Sequence, residues 1–224
     1  MIVATDLSLV LDDTVILDHV SFTVARGESV ALVGPNGSGK TSVLRCLLGL
    51  VPFTGRAVIH GHDVVREPVA ARSLVAYVPQ RAAFGDARAE EVLSFVARLR
   101  RIERTRIPAV LRAVGLEGHH DQPVRTFSGG MQQRLSLAVA LLADTPVLFL
   151  DEPSASLDRD GQQMFFDVVA GLRRRGHTLL LASHRPEEVE RLTDRVLHLD
   201  CGRIDLAAAP ERVARVIPLR GERR

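Results

Sequence analysis

The 224-residue sequence has one lysine, one tyrosine, no tryptophan and two cysteines. Cys46 and Cys201 have no metal-ligand spacing, which excludes a disulfide scaffold and a cysteine metal site; both read as reduced thiols. Long hydrophobic runs are missing too. The strongly apolar stretches Val147–Leu150 and Thr178–Ala182 are strand-sized, far below the ~18 residues that a membrane span needs. Met1–Asp6 lacks a basic segment and meets an acid at once, so it does not read as a secretory signal. The expectation is a cytoplasmic chain; if it acts at a membrane, other chains do the spanning. A large excess of one charge is absent as well. The net charge of +2 is too mild to argue for a nucleic-acid partner. Arg173-Arg174-Arg175 reads as a solvated helix end. With 46% hydrophobic and 25% charged residues the chain is not disordered and can bury one core, or one core with an attached lobe. Lys40 stands alone against 28 arginines. Where charge alone suffices arginine has been used, so position 40 suits a compact ammonium on a flexible stem.

Val30–Val33 is a short apolar run ending at a glycine-rich turn, and Ser42–Leu50 reads as a helix whose end is marked by Gly49 and Pro52. Val147–Leu150 and Leu179–Ala182 read as buried strands. Gln162–Arg174 and the segment beginning Pro186–Leu192 read as helices. Near-continuous apolar strands alternating with helices predict an α/β fold with a parallel sheet covered on both faces. Ile2–Val10, Val20–Val24, Arg56–Ile59 and Arg195–Leu199 alternate more, and are expected to form an antiparallel sheet at one side. Between residues 84 and 142 the spacing turns helical. Val92, Phe95, Val96 and Leu99 share one face; Met131, Leu135, Ala138 and Leu142 share another. The expected organisation is one domain: an α/β core with its β-subdomain over 1–83 and 143–206, a helical subdomain over 84–142, and a tail over 207–224.

Gly34-Pro35-Asn36-Gly37-Ser38-Gly39-Lys40-Thr41 matches G-x-x-x-x-G-K-[ST] between a strand and a helix. Glycines let backbone N–H groups converge on phosphates, and the following helix adds its positive end. In this pattern Lys40 reaches the β- and γ-phosphates and the Thr41 hydroxyl holds Mg²⁺. Asp151, at the end of an apolar strand, suits a second metal contact, and Glu152 suits the positioning of an attacking water. Phe127-Ser128-Gly129-Gly130-Met131-Gln132 precedes a helix that Ser128 can cap, and its glycines leave N–H groups open as a second anion site.

In this order the motifs resemble the nucleotide-binding domain of the ABC family, from about Ile2 to Leu206. The resemblance implies a P-loop NTPase (RecA-like) core with a flanking antiparallel β-subdomain and an inserted α-helical signature subdomain. Gly34–Thr41 resembles the Walker A loop, with Ser42 after it, and Ser128-Gly129-Gly130-Met131-Gln132 resembles the signature. Gln80 resembles the Q-loop glutamine that touches Mg²⁺, Asp151 the Walker B aspartate and Glu152 the catalytic glutamate. Ser156-Leu157-Asp158 resembles the D-loop, and His184 the switch histidine. ATP and Mg²⁺ are the implied ligands. The implied assembly is a head-to-tail homodimer, or a pair with a closely related ATPase, in which Ser128–Gly130 of one subunit caps ATP on Lys40 of the other. It would sit on the inner face of the cell membrane against polytopic permease subunits. Segments 95–100 and 123–131 resemble exporter-type ATPases; an importer ATPase is the alternative. A soluble, non-transport ABC ATPase of DNA repair or ribosomes is a second alternative, though such relatives usually carry long coiled-coil insertions or two cassettes. A non-hydrolysing switch is disfavoured by Glu152 and His184. Two positions depart from the family pattern. Leu11 falls near the place of the adenine-stacking aromatic, which implies relaxed base selectivity, and Met131 replaces the commoner glutamine.

Overall fold

The computed structural model describes residues 1–205; the expected 207–224 tail, and Leu206 before it, lie outside the described residues. The chain opens with a hairpin, β1 (Ile2–Leu11) and β2 (Thr14–Val24), closed by Asp12 and Asp13, both at positive φ. Paired left-handed residues suit the right-handed twist of the strands they join. With β4 (Thr54–Ile59) and β5 (His62–Asp63) the hairpin forms an antiparallel sheet of order β2-β1-β4-β5.

The second sheet contains β3 (Ser29–Val33), β6 (Val75–Val78), β7 (Val147–Asp151), β8 (Thr178–Ala182), β9 (Arg195–Asp200) and β10 (Arg203–Ile204), in the order β10-β9-β3-β8-β7-β6. From β9 to β6 every pairing is parallel. Its central strands alternate between two cores. Leu148, Leu150, Leu179 and Leu181 face one side with α3 (Ala89–Arg100), α4 (Ile107–Ala113), α5 (Gly129–Ala143) and α6 (Arg159–Arg174). Val147, Phe149, Leu180 and Ala182 face the other side, with α1 (Lys40–Leu47) and the antiparallel sheet. Burial on both faces is why these strands read as unbroken apolar runs. Among the described residues no helix is long and apolar enough to cross a membrane.

Three readings need correction. Arg195–Leu199 does not join the antiparallel sheet. It pairs in parallel with β3, anchored where Arg195 Nε donates to Glu28 Oε1 at 2.7 Å. Its alternation reflects a strand near a sheet edge, with one face polar. Arg173 is not a solvated helix end. Its guanidinium donates to Asp194, to the Ser29 hydroxyl and to the Arg191 carbonyl, tying α6 to the start of β3. Helix starts also shift: α6 begins at Arg159 because Asp158 caps it, accepting from Gly161 N at 3.0 Å. Helix α1 begins at Lys40, straight from the glycine loop, and closes early because Gly49 adopts a left-handed φ of 63°.

Candidate functional site

The first part of the site is the turn between β3 and α1. A Cβ on Gly34 would lie 2.0 Å from the Leu199 carbonyl oxygen, so only glycine lets the loop pass under the end of β9. Gly39 has a φ of 103° directly before α1. Lys40 is 6% exposed, and its Nζ donates to Gly34 O at 2.8 Å and Pro35 O at 2.9 Å. The ammonium thus folds back over its own loop. The Ser38 hydroxyl is buried and has no hydrogen-bond partner, and an orphaned hydroxyl of this kind needs a polar ligand. An enclosed ammonium and an orphaned hydroxyl on a glycine-rich turn fit a phosphate chain.

The second part hangs on β7. Asp151 is 1% exposed. Its Oδ1 accepts from Thr41 Oγ1 at 2.9 Å and its Oδ2 from Tyr77 OH at 3.1 Å. Burial pushes its pKa above the ordinary carboxylate value, with the neighbouring Glu152 charge adding to the rise; the two hydroxyl donors oppose it. A buried carboxylate beside a threonine hydroxyl is a hard-oxygen donor set of the kind that suits Mg²⁺.

Glu152 leaves the strand at a φ of 44°, with its N–H on the Ala182 carbonyl at 2.8 Å. This left-handed turn costs about 1 kcal/mol or more in a non-glycine residue. It takes the Glu152 carboxylate to the ends of the neighbouring strands β6 and β8. There Glu152 Oε1 accepts from His184 Nδ1 at 2.9 Å, and Oε2 accepts from Gln80 Nε2 at 3.5 Å. A carboxylate can only accept, so His184 carries its proton on Nδ1, and Nε2 is left for another partner. Gln80, Glu152 and His184 come from the ends of three parallel strands, β6, β7 and β8, which lie side by side.

The third part stands apart. Ser128 caps α5, its Oγ accepting from Met131 N at 3.2 Å. A Cβ on Gly130 would lie 3.1 Å from Ser156 O, so the segment rests on the loop leading to Asp158. Asp158 is occupied by the α6 cap and by Arg134 at 3.0 Å. Among the described residues, no hydrogen bond or ion pair links Ser128–Gly130 or Asp158 to the cluster around Lys40 and Glu152.

Residues 17–155 match the ABC transporter family. This chain belongs to that family. It is 38% identical over 206 residues to the Nod factor export ATP-binding protein I of Sinorhizobium fredii, covering 89% of this chain and 60% of that protein. It is also 38% identical over 194 residues to the doxorubicin resistance ATP-binding protein DrrA of Mycobacterium tuberculosis, covering 84% of this chain and 59% of the relative. The chain thus spans about three fifths of the length of these two relatives. A solved ATP-binding subunit of an ABC transporter superposes with a TM-score of 0.87 at 28% identity, over 95% of this chain and 90% of that one. The fold is the P-loop NTPase core expected for an ABC nucleotide-binding domain. The matched span holds the Lys40 loop, Gln80, Ser128–Gly130, Asp151 and Glu152 but stops before Asp158 and His184. His184 is joined to the others by its contact with Glu152.

Two residues escaped the sequence reading. Tyr77, the chain's one tyrosine, is given no role there, yet it holds the second oxygen of Asp151. Gln133 is buried and donates to the Pro79 carbonyl at 3.1 Å, tying α5 to the residue before Gln80. No local pattern marks either contact, because each crosses between segments distant in sequence. Leu11 lies at the tip of the β1–β2 hairpin and is 41% exposed. The hairpin runs beside the phosphate loop, for a Cβ on Gly39 would meet the Leu17 side chain at 2.7 Å. Burial pushes the Cys46 thiol up, to about 11.

Proposed function

We propose that this chain is a Mg²⁺-dependent ATPase that energises export through separate membrane permease subunits, working as a dimer on the inner face of the membrane. The observation that carries the hydrolytic reading is the Gln80–Glu152–His184 cluster beside the Asp151–Thr41 pair. It separates a metal-holding carboxylate from a water-facing one within two consecutive residues. Asp151, Thr41 and Gln80 would hold Mg²⁺, which would supply charge neutralisation on the phosphate oxygens. Lys40 leaves its own carbonyls for the β- and γ-phosphates, while the amides of Gly34–Thr41, with Ser38 and Ser42, line the phosphate chain. Glu152 orients the attacking water and accepts its proton; His184, its Nδ1–H fixed on Glu152, presents Nε2 to the γ-phosphate.

The separate position of Ser128–Gly130 supports a head-to-tail pair, in which that segment and Asp158 meet the nucleotide held by the partner. The helical region 84–142, connected through Gln133 to Pro79, the residue before Gln80, is the part that addresses the permease. Export is the direction named for the Nod factor relative. The hydrolytic reading is tested by Glu152→Gln. The variant is expected to bind Mg²⁺–ATP like the wild type and to hydrolyse it at least about a hundredfold more slowly; near-normal turnover refutes the assignment.

A further inference from the structure

The mechanism leaves unused a carboxylate that is almost completely withdrawn from solvent. Glu188 lies in the first turn of α7 (Pro186–Leu192) and is 1% exposed. Its Oε1 accepts from the Ser154 hydroxyl and its Oε2 from the Ser183 hydroxyl at 2.5 Å. Ser154 and Ser183 are both fully buried. Among the described residues Glu188 forms no ion pair; Arg185 reaches it only through the hydroxyls. Arg185 Nη1 donates to Ser154 Oγ at 2.8 Å, and Arg185 N donates to Ser183 Oγ at 3.0 Å. Each hydroxyl therefore accepts from Arg185 and spends its one proton on Glu188. A buried carboxyl group satisfied in this way is costly to disturb and fixes the distance between its donors.

Ser154 stands two residues after Glu152, and Ser183 directly precedes His184. We infer that Glu188 is a positioning residue for hydrolysis, whose carboxylate braces the loop carrying Glu152 against the loop carrying His184. The inference rests on the proposed catalytic roles of Glu152 and His184. Those two residues touch each other at their tips, 2.9 Å apart. A single contact leaves each free to pivot, and the Glu188 brace supplies a second connection behind it. The same loop runs on through Ser156 to the segment beneath Gly130, so the brace also holds the surface facing the partner's nucleotide.

Glutamine has nearly the shape of Glu188 but cannot accept from both hydroxyls. Its amide nitrogen would meet a serine oxygen already accepting from Arg185, and that serine's own proton would be stranded. The test compares Glu188→Gln, Ser154→Ala, Ser183→Ala and the double serine variant, reading kcat, the Kd for Mg²⁺–ATP and the thermal midpoint. In each variant kcat is expected to fall about tenfold or more, because misplacement rather than loss of catalytic groups sets the cost. The Kd stays within about twofold, since the brace does not touch the phosphate loop. The double serine variant loses no more than the worse single one, because both serines belong to one brace. Unchanged turnover in all four, equal losses of turnover and binding, or additive losses from the two serines would each overturn the inference. Should Glu188→Gln fail to fold, the serine variants carry the same readings. Glu152→Gln measured alongside separates the two claims. Normal turnover there defeats the hydrolytic reading itself; slow turnover there with normal turnover in the four brace variants defeats the brace alone.

Discussion

Replacing Tyr77 by phenylalanine removes one hydroxyl and nothing else, and the structure says what should follow. The lost group donates to Asp151 Oδ2 at 3.1 Å, leaving the Thr41 hydroxyl on Oδ1. Asp151 is buried and its pKa is raised chiefly by that burial. A carboxyl raised in the folded state contributes stability that is fully present below its unfolded pKa and is lost as pH rises through its folded pKa. Hydroxyl donation from Tyr77 works against the rise. Removing it therefore moves the Asp151 pKa further up and sharpens the penalty for ionising it. At mildly alkaline pH the lost bond is one to a charge, worth about 1.5–3 kcal/mol. At acid pH, with Asp151 protonated, it is a bond between neutral groups, worth about 0.5–1.5 kcal/mol. For a chain of this length the alkaline loss corresponds to a fall of about 3–12 °C in melting temperature. Denaturant melts of wild type and Tyr77→Phe without nucleotide, at both pH values, give the comparison. The acid limb of Mg²⁺-dependent ATP hydrolysis should also move to higher pH in the variant. A destabilisation of equal size at both pH values, with an unmoved acid limb, would refute the argument that Tyr77 acts on the Asp151 charge.

Two further outcomes are expected. Gly34→Ala should destabilise the fold by about 1–3 kcal/mol and weaken nucleotide binding, because its Cβ would overlap the Leu199 carbonyl, a backbone group that cannot rotate away. Equilibrium unfolding and nucleotide titration check this, and wild-type values in both would contradict the account of the loop. On the expectation that Leu11, which is exposed, takes the place of the adenine-stacking aromatic, GTP should compete with ATP to within about tenfold; competition binding that excludes GTP would show a base-specific contact elsewhere.

The strands β3, β7 and β8 and the phosphate loop are legible in the sequence because their signals are local. Apolar runs mark strands buried on both faces, and eight consecutive residues spell out a phosphate cradle. The antiparallel sheet is legible for three of its strands, but β9 is misread, because alternation shows that one face is polar without showing which sheet receives the strand. The pairing of Glu152 with His184 depends on β7 lying beside β8, with Asp151 opposite Ala182. Tyr77 reaches Asp151 because β6 lies beside β7. Strand order is set by how helices cross over the sheet, and no stretch of residues records it. For the same reason Arg173 reads as one of three surface arginines, although its partners at Ser29 and Asp194 come from other segments.

The central claim is that each nucleotide is held by Gly34–Thr41 of one protomer and Ser128–Gly130 of another. Lys40→Ala and Ser128→Arg, each placed in a Glu152→Gln background, separate the alternatives when mixed. Either variant alone spoils both sites of its own dimer and should retain no Mg²⁺–ATP on a filter. A mixed dimer would bring together one intact loop and one intact Ser128 segment at a single seam, so retention should reappear on mixing. A mixture that holds no more nucleotide than its two components would contradict the shared site.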